Sequence, residues 1–182
     1  MGCGCRKKIG GSNHILFPEA DSANGDPSNW GPALWAMLHC IAERIGLSAS
    51  ASIDIDQARA METVITLLPT ILPCPECQAH CRLYIQTHTP NWIPLRGETL
   101  RTTVRQWLLD FHNSVRARKE QPITVNTLDD LSREYAGCNI QSCQTTLLAA
   151  NVAFMIRLSV VKMEAWKRWN VHFNRIRVLV GL

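Results

Sequence analysis

The sequence predicts an all-α chain, on three observations. Apolar residues recur at intervals of three and four in several separate segments. Helix start and stop residues (Asp-Pro, Thr, Gly) bracket those segments. No stretch alternates apolar and polar residues as a half-buried strand does. Charged residues at 19% and hydrophobic residues at 46% describe a globular chain rather than a disordered one. A net charge of +4 is too mild to make nucleic acid the main partner.

Residues 1–25 read as a polar, Gly-rich arm carrying a close thiol pair, Cys3 and Cys5. Asp26-Pro27 marks the first helix, with Asp as N-cap and Pro at the first position. That helix runs from about Ser28 to Ile45, with Trp30, Leu34, Trp35, Leu38 and Ile41 on its apolar face and Gly46 as its stop. A Ser/Ala linker leads to Asp54 or Asp56 as the second N-cap, and helix two runs to about Leu68. Helix three begins at Cys74, has Pro75 at its first position and ends near His88. A Pro- and Trp-containing loop, Thr89 to Gly97, precedes helix four, about Glu98 to Arg118. Val104, Trp107, Leu108, Phe111 and Val115 form its buried stripe. A short fifth helix, Thr127 to Ala136, has Thr127 as cap, acids in its first turn and Gly137 as its stop. Cys138 to Cys143 reads as a loop, and one long last helix, about Gln144 to Val178, is apolar early and basic late. The expected organisation is the arm 1–25, a helical domain 26–137 and a helical extension 138–182.

No secretory apolar region follows the start, and the run Thr145 to Val161 contains Asn151 and Arg157. It is shorter than the roughly 20 residues a spanning helix needs. Cytoplasmic location is therefore the expectation. Eight cysteines are too few for a disulfide scaffold and too many to ignore.

Cys74-Pro75-Glu76-Cys77 puts two thiols on one face of a helix's first turn. The partial positive charge there stabilises a thiolate and lowers the cysteine pKa. Such a pair can cycle between dithiol and disulfide, or ligate zinc. In the zinc reading the chain is a helical binding module, with Cys74, Cys77, His80 or Cys81, and Cys138 or Cys143 as ligands.

Three segments on different helices combine aromatic, histidine and small residues: Gly31 to His39 (GPALWAMLH), Cys74 to His80 (CPECQAH) and Trp107 to Val115 (WLLDFHNSV). Bundles build cofactor sites from side chains on facing helices. Read together as GxxxWxxxH, CxxC and W-x4-H-N-x-V, these segments resemble the Erv/ALR family of FAD-dependent sulfhydryl oxidases over about residues 27–137. The resemblance is closest to members encoded by large cytoplasmic DNA viruses, and for a viral protein it implies host cytoplasm or virion. It implies a four-helix bundle plus a short fifth helix, bound FAD and a homodimer. It also implies oxidation of protein dithiols, or of a thioredoxin-like relay, with oxygen as acceptor and hydrogen peroxide as product. Cys74 would meet incoming thiols and Cys77 would lie against the isoalloxazine. Gly31, Trp35, His39, His80, His112, Asn113 and Val115 would contact the cofactor, and Trp107 would wall the site.

The chain departs from the family pattern at three places. Arg116 stands where the family has a second Asn, Gln121-Pro122 replaces Lys-Pro, and Glu134-Tyr135 replaces Arg-Trp. Arg118 or Lys119 is placed to supply the phosphate contact. Arg116, Lys119 and Tyr135 complete the expected cofactor set.

The remaining cysteines and tryptophans have plainer readings. Cys40 and Cys81 read as buried free thiols, Cys138 and Cys143 as a small-loop disulfide or a second shuttle pair, and Trp30 as a core residue. Cys3 and Cys5 read as a mobile shuttle pair that relays electrons to the CxxC. The other reading of Met1-Gly2-Cys3-Gly4-Cys5 is an acylation site, which would bring a lipid anchor, with Arg6, Lys7 and Lys8 aiding an anionic membrane. The late basic residues read as a solvated face with Trp166 and Trp169 packed inward.

Overall fold

The computed structural model describes residues 23–140 and 142–182, with backbone alone at 142 and 143. Among these residues the elements are α1 (Pro27–Arg44), α2 (Ala51–Leu67), a 3-10 turn (Leu68–Thr70), α3 (Pro75–His88), α4 (Gly97–Arg118), α5 (Leu128–Tyr135), α6 (Ser142–Arg157) and α7 (Met163–Leu179). None of the described residues forms a strand. No described helix is long and apolar enough to cross a membrane.

The caps are local chemistry. Asp26 accepts from the Ser28 N–H at 2.8 Å and starts α1. Thr127 and Asp130 form a reciprocal capping box at α5. Gly46, at φ +73°, ends α1 where a side chain would collide with the Gly97 carbonyl, so the end of α1 and the start of α4 touch through glycine backbone.

Helix α1 is the spine. It is buried along most of its length and packs against α4, α5 and α6, while α2 packs against α7 and α4. Glu43 of α1 is buried and pairs with Arg101 at 3.0 Å and Arg105 at 2.6 Å, both on α4. Arg105 also donates to the Leu128 carbonyl at 2.7 Å, so one buried ionic group sets α1, α4 and the start of α5 relative to one another. Breaking such a group is costly, because it strands a charge away from water.

Three expectations are corrected. Helix α2 begins at Ala51 after Ser50, and Asp54 is inside it. Its carboxylate instead accepts from the Gly97 N–H at 2.8 Å, a contact across 43 residues. Cys40 is bonded to Cys138, with Cα atoms 5.8 Å apart, so it is no free thiol and Cys138 does not close a small loop with Cys143. The long last helix is two helices, with the chain reversing at Leu158 to Lys162 through Ser159 at φ +58°.

The reversal has a physical reason. A straight helix would carry Trp169, Phe173 and Ile176 off the body into water, whereas folding back buries all three on α2. Burying each is worth about 1.5–3 kcal/mol, against about 1–2 kcal/mol for one left-handed residue. Trp169 also donates to the Val64 carbonyl at 3.1 Å, and Gln57 donates to the Leu179 carbonyl at 2.8 Å.

Candidate active site

The chain reaches α3 through Pro73, and Cys74 takes the N-cap position in extended conformation with Pro75 next. The Cys77 N–H donates to the Cys74 sulfur at 3.2 Å, and the two sulfurs are bonded, with Cα atoms 5.1 Å apart. Both cysteines are half-buried. They face different spaces: Cys77 lines a deep, partly open cavity, and Cys74 lines a shallower open groove beside it.

The cavity has a volume of about 810 Å³ and lies between α1, α4, α5 and the start of α3. Gly31, Trp35, His80, His112, Val115, Arg116, Lys119 and Tyr135 line it together with Cys77. Around Gly31 nothing lies within 4 Å of where a Cβ would sit, so the cavity reaches the backbone of α1. Trp35 stacks on His112 with ring centres 4.2 Å apart and planes 6° from parallel, and Tyr135 stacks on His39 at 4.8 Å. Arg116, Arg118 and Lys119, at the end of α4, make one part of the lining cationic.

Two histidines join α1 to α4. Nε2 of His39 and Nδ1 of His112 are 3.1 Å apart. Arg116 donates from Nε to Nε2 of His112 at 3.4 Å. That donation assigns the tautomers: His112 carries its proton on Nδ1 and donates to His39, whose own proton is on Nδ1. Burial lowers both pKa values to about 3, with His112 adding to the effect on His39 and Arg116 to that on His112. Both rings are therefore neutral at pH 7. His80 is lowered too, first by burial and then by Arg118. Burial pushes the Cys81 thiol well above its usual range, so it packs as a small hydrophobe.

Three expected contact residues sit away from the lining. His39 is buried one layer back, between His112 and Tyr135. Trp107 is buried against α3 and the loop after it, donating to the His88 carbonyl at 3.1 Å and meeting Trp92 edge-on, so it braces α3 rather than walling the cavity. Asn113 donates to the Val125 carbonyl at 3.0 Å and so holds the loop before α5. That loop contributes Gln121, Pro122, Thr124 and Val125 to the cavity, none of which carries a helical pattern that could mark it in advance. Asp26, Pro27, Trp30, Phe111 and Leu131 also line it. Cys3 and Cys5 lie outside the described residues.

Zinc ligation finds no set of ligands among the described residues. No three His, Cys, Asp or Glu side chains there converge on a point, Cys138 is joined to Cys40, and Cys74 is joined to Cys77.

A helical bundle that seats a CxxC disulfide at the wall of an aromatic, partly cationic cavity belongs to the class of helical thiol–disulfide scaffolds with a cofactor-sized pocket. The Erv1/Alr family model matches residues 32–135, and the chain belongs to that family. It is 34% identical over 97 residues to a protein of Invertebrate iridescent virus 3 that carries the name FAD-linked sulfhydryl oxidase 096R. The match takes in 53% of this chain and 60% of the viral protein's length. No solved structure matches the chain.

Proposed function

We propose that the chain is an FAD-dependent thiol oxidase that forms disulfide bonds in protein thiols. The observation that carries this reading is the placement of one disulfide between two spaces, with Cys74 toward the outer groove and Cys77 in the wall of the cavity.

The cavity suits FAD on three counts. Its volume of about 810 Å³ is within the usual range for small-molecule sites. Trp35 and Tyr135 offer aromatic faces for a planar ring, and the open space at Gly31 lets that ring approach the backbone. Arg116, Arg118 and Lys119 offer a cationic surface to a diphosphate. The His39–His112 pair, neutral at pH 7, adds no charge beside a ring. The chemistry FAD supplies when bound is acceptance of two electrons from the reduced cysteine pair and their passage to oxygen, with hydrogen peroxide as product.

The thiol half of the reaction belongs to the chain's own residues. A client thiolate attacks the Cys74 sulfur, a client–Cys74 bond forms, and Cys77 leaves as a thiolate. A second client thiolate attacks the client sulfur of that mixed disulfide, and Cys74 leaves as a thiolate. The client dithiol is oxidised by two electrons, the CxxC is reduced by two, and two protons are released. The Cys77 N–H and the start of α3 stabilise Cys74 as that second leaving group. Clients in this reading are protein dithiols or a thioredoxin-like relay, and pairing into a homodimer rests on the family resemblance.

The absorption spectrum of the purified protein tests the reading. Bound oxidised flavin gives a band near about 450 nm. Cys74→Ala and Cys77→Ala should each keep that band and abolish oxidation of dithiothreitol. A colourless protein carrying stoichiometric zinc would overturn the proposal.

A further inference from the structure

The geometry points to a partition between the two spaces at the disulfide, made by Gly25, Asp26 and Pro27 and held in place by Asn151 of α6 as a positioning residue. The inference rests on the reading of the cavity as the flavin site.

Asp26 and Pro27 line both the inner cavity and the outer groove, which has a volume of about 530 Å³ and also includes Gly25, Cys74, Pro75 and Glu76. They therefore stand between the space that Cys77 faces and the space that Cys74 faces. The segment is held from two sides. Asn151, wholly buried, accepts from the Gly25 N–H at 3.2 Å. Its own amide donates to the Leu147 carbonyl at 3.0 Å, which turns the oxygen toward the strap. From α1, the Trp30 indole donates to the Gly25 carbonyl at 3.0 Å. Gly25 has φ +78°, and a Cβ there would lie 2.7 Å from the Met155 sulfur and 3.0 Å from the Pro73 carbonyl oxygen. A side chain at Gly25 would meet the residue before Cys74, so glycine lets the strap pass there.

Asn151 and Met155 lie beyond the family-matched residues 32–135. The C-terminal helices supply a part of the redox site that the matched domain lacks. With the strap latched, a thiol that enters by the groove meets Cys74 and is kept from Cys77 and the cavity on that side, so electrons from the groove enter through the disulfide. A buried polar side chain is costly unless paired, and the Gly25 N–H is the long-range partner that Asn151 finds.

The test reads the accessibility of Cys77 in the full chain. In a Cys74→Ser background, reduced, the rate of Cys77 alkylation by iodoacetamide is followed by peptide mass mapping. Asn151→Ala should raise it about tenfold, the factor by which loss of one buried hydrogen bond raises a local opening equilibrium. Gly25→Ala, whose added methyl group would meet Met155 and Pro73 while the Asn151 side chain stays in place, should do the same. Val152→Ala removes buried volume from the neighbouring position and should lower the melting temperature without changing the Cys77 rate. Equal Cys77 rates in Asn151→Ala, Gly25→Ala and the parent would overturn the partition. A rise of the same size in Val152→Ala would reduce Asn151 to a packing residue and overturn it as well. Flavin content is measured on every variant, and the Cys77 rates are compared at equal flavin content. Absence of flavin from the unsubstituted protein would count against the functional reading, whereas equal Cys77 rates at equal flavin content would count against the partition.

Discussion

Lowering the pH from 7.5 to 5.0 should cost the protein about 4 kcal/mol of stability through two residues, His39 and His112. Their folded pKa values are lowered by burial to about 3, against an ordinary value of 6.5. The sign follows from proton uptake. Below pH 6.5 the unfolded chain binds a proton at each imidazole and the folded chain binds none, so unfolding gains free energy as the pH falls. The stability is full above 6.5, is lost progressively below it, and stops falling near pH 3. At pH 5.0 each histidine lies about 1.5 units below its unfolded pKa, which at 1.36 kcal/mol per unit is about 2 kcal/mol, and two give about 4. The shifted carboxylates Asp26, Glu98 and Asp130 are lowered below their ordinary values, so they add little in this window. The assay is urea denaturation at both pH values, at one FAD concentration, on the parent and on His39→Gln. His39 sits behind the cavity lining, so its replacement leaves the lining in place. The variant should lose about 2 kcal/mol less than the parent between the two pH values. Equal losses would show that His39 takes up its proton in the folded state, and would refute the buried neutral pair.

Cys138→Ala should lower stability by up to about 4.7 kcal/mol, the chain-entropy value for a loop of this length, because the Cys40–Cys138 bond spans 98 residues. It should leave dithiothreitol oxidation at 25 °C unchanged, and an unaltered denaturation midpoint would remove the bond as a stabilising element. For the N-terminal arm, Cys3→Ser with Cys5→Ser should slow oxidation of a reduced protein while sparing a small dithiol that reaches Cys74 directly; equal rates on the protein substrate would remove the relay. If the arm is acylated instead, an added lipid mass and membrane fractionation of protein made in eukaryotic cells will report it.

What was legible in the sequence was local, and what was not was set by contacts between distant residues. Asp26, Cys74 and Thr127 announce helix starts because a cap is a bond to a backbone N–H two or three residues on. Gly46 and Gly137 announce ends for an equally local reason, a positive φ. Asp54 looks like a cap by the same rule, yet its carboxylate is taken by Gly97, which no window around residue 54 contains. The partner of Cys138 is hidden likewise, since Cys143 is close in sequence and Cys40 is close in space. Periodicity marks residues 144–178 as helical but does not say where the chain turns, because the gain from turning is burial of Trp169 on α2.

The cavity extends the point to function. The histidine and asparagine of the helix-four motif are adjacent in sequence but do different things. His112 lines the cavity, whereas Asn113 turns to the Val125 carbonyl. Arg116, where the family pattern has asparagine, both lines the cavity and donates to the Pro122 carbonyl at 2.9 Å. Asn113 and Arg116 together anchor the loop that closes this side of the cavity, one at Val125 and the other at Pro122. The departure from the family at Arg116 is therefore a structural substitution as well as an added positive charge. Its guanidinium keeps the loop at the wall and fixes the tautomer of His112 in the same position.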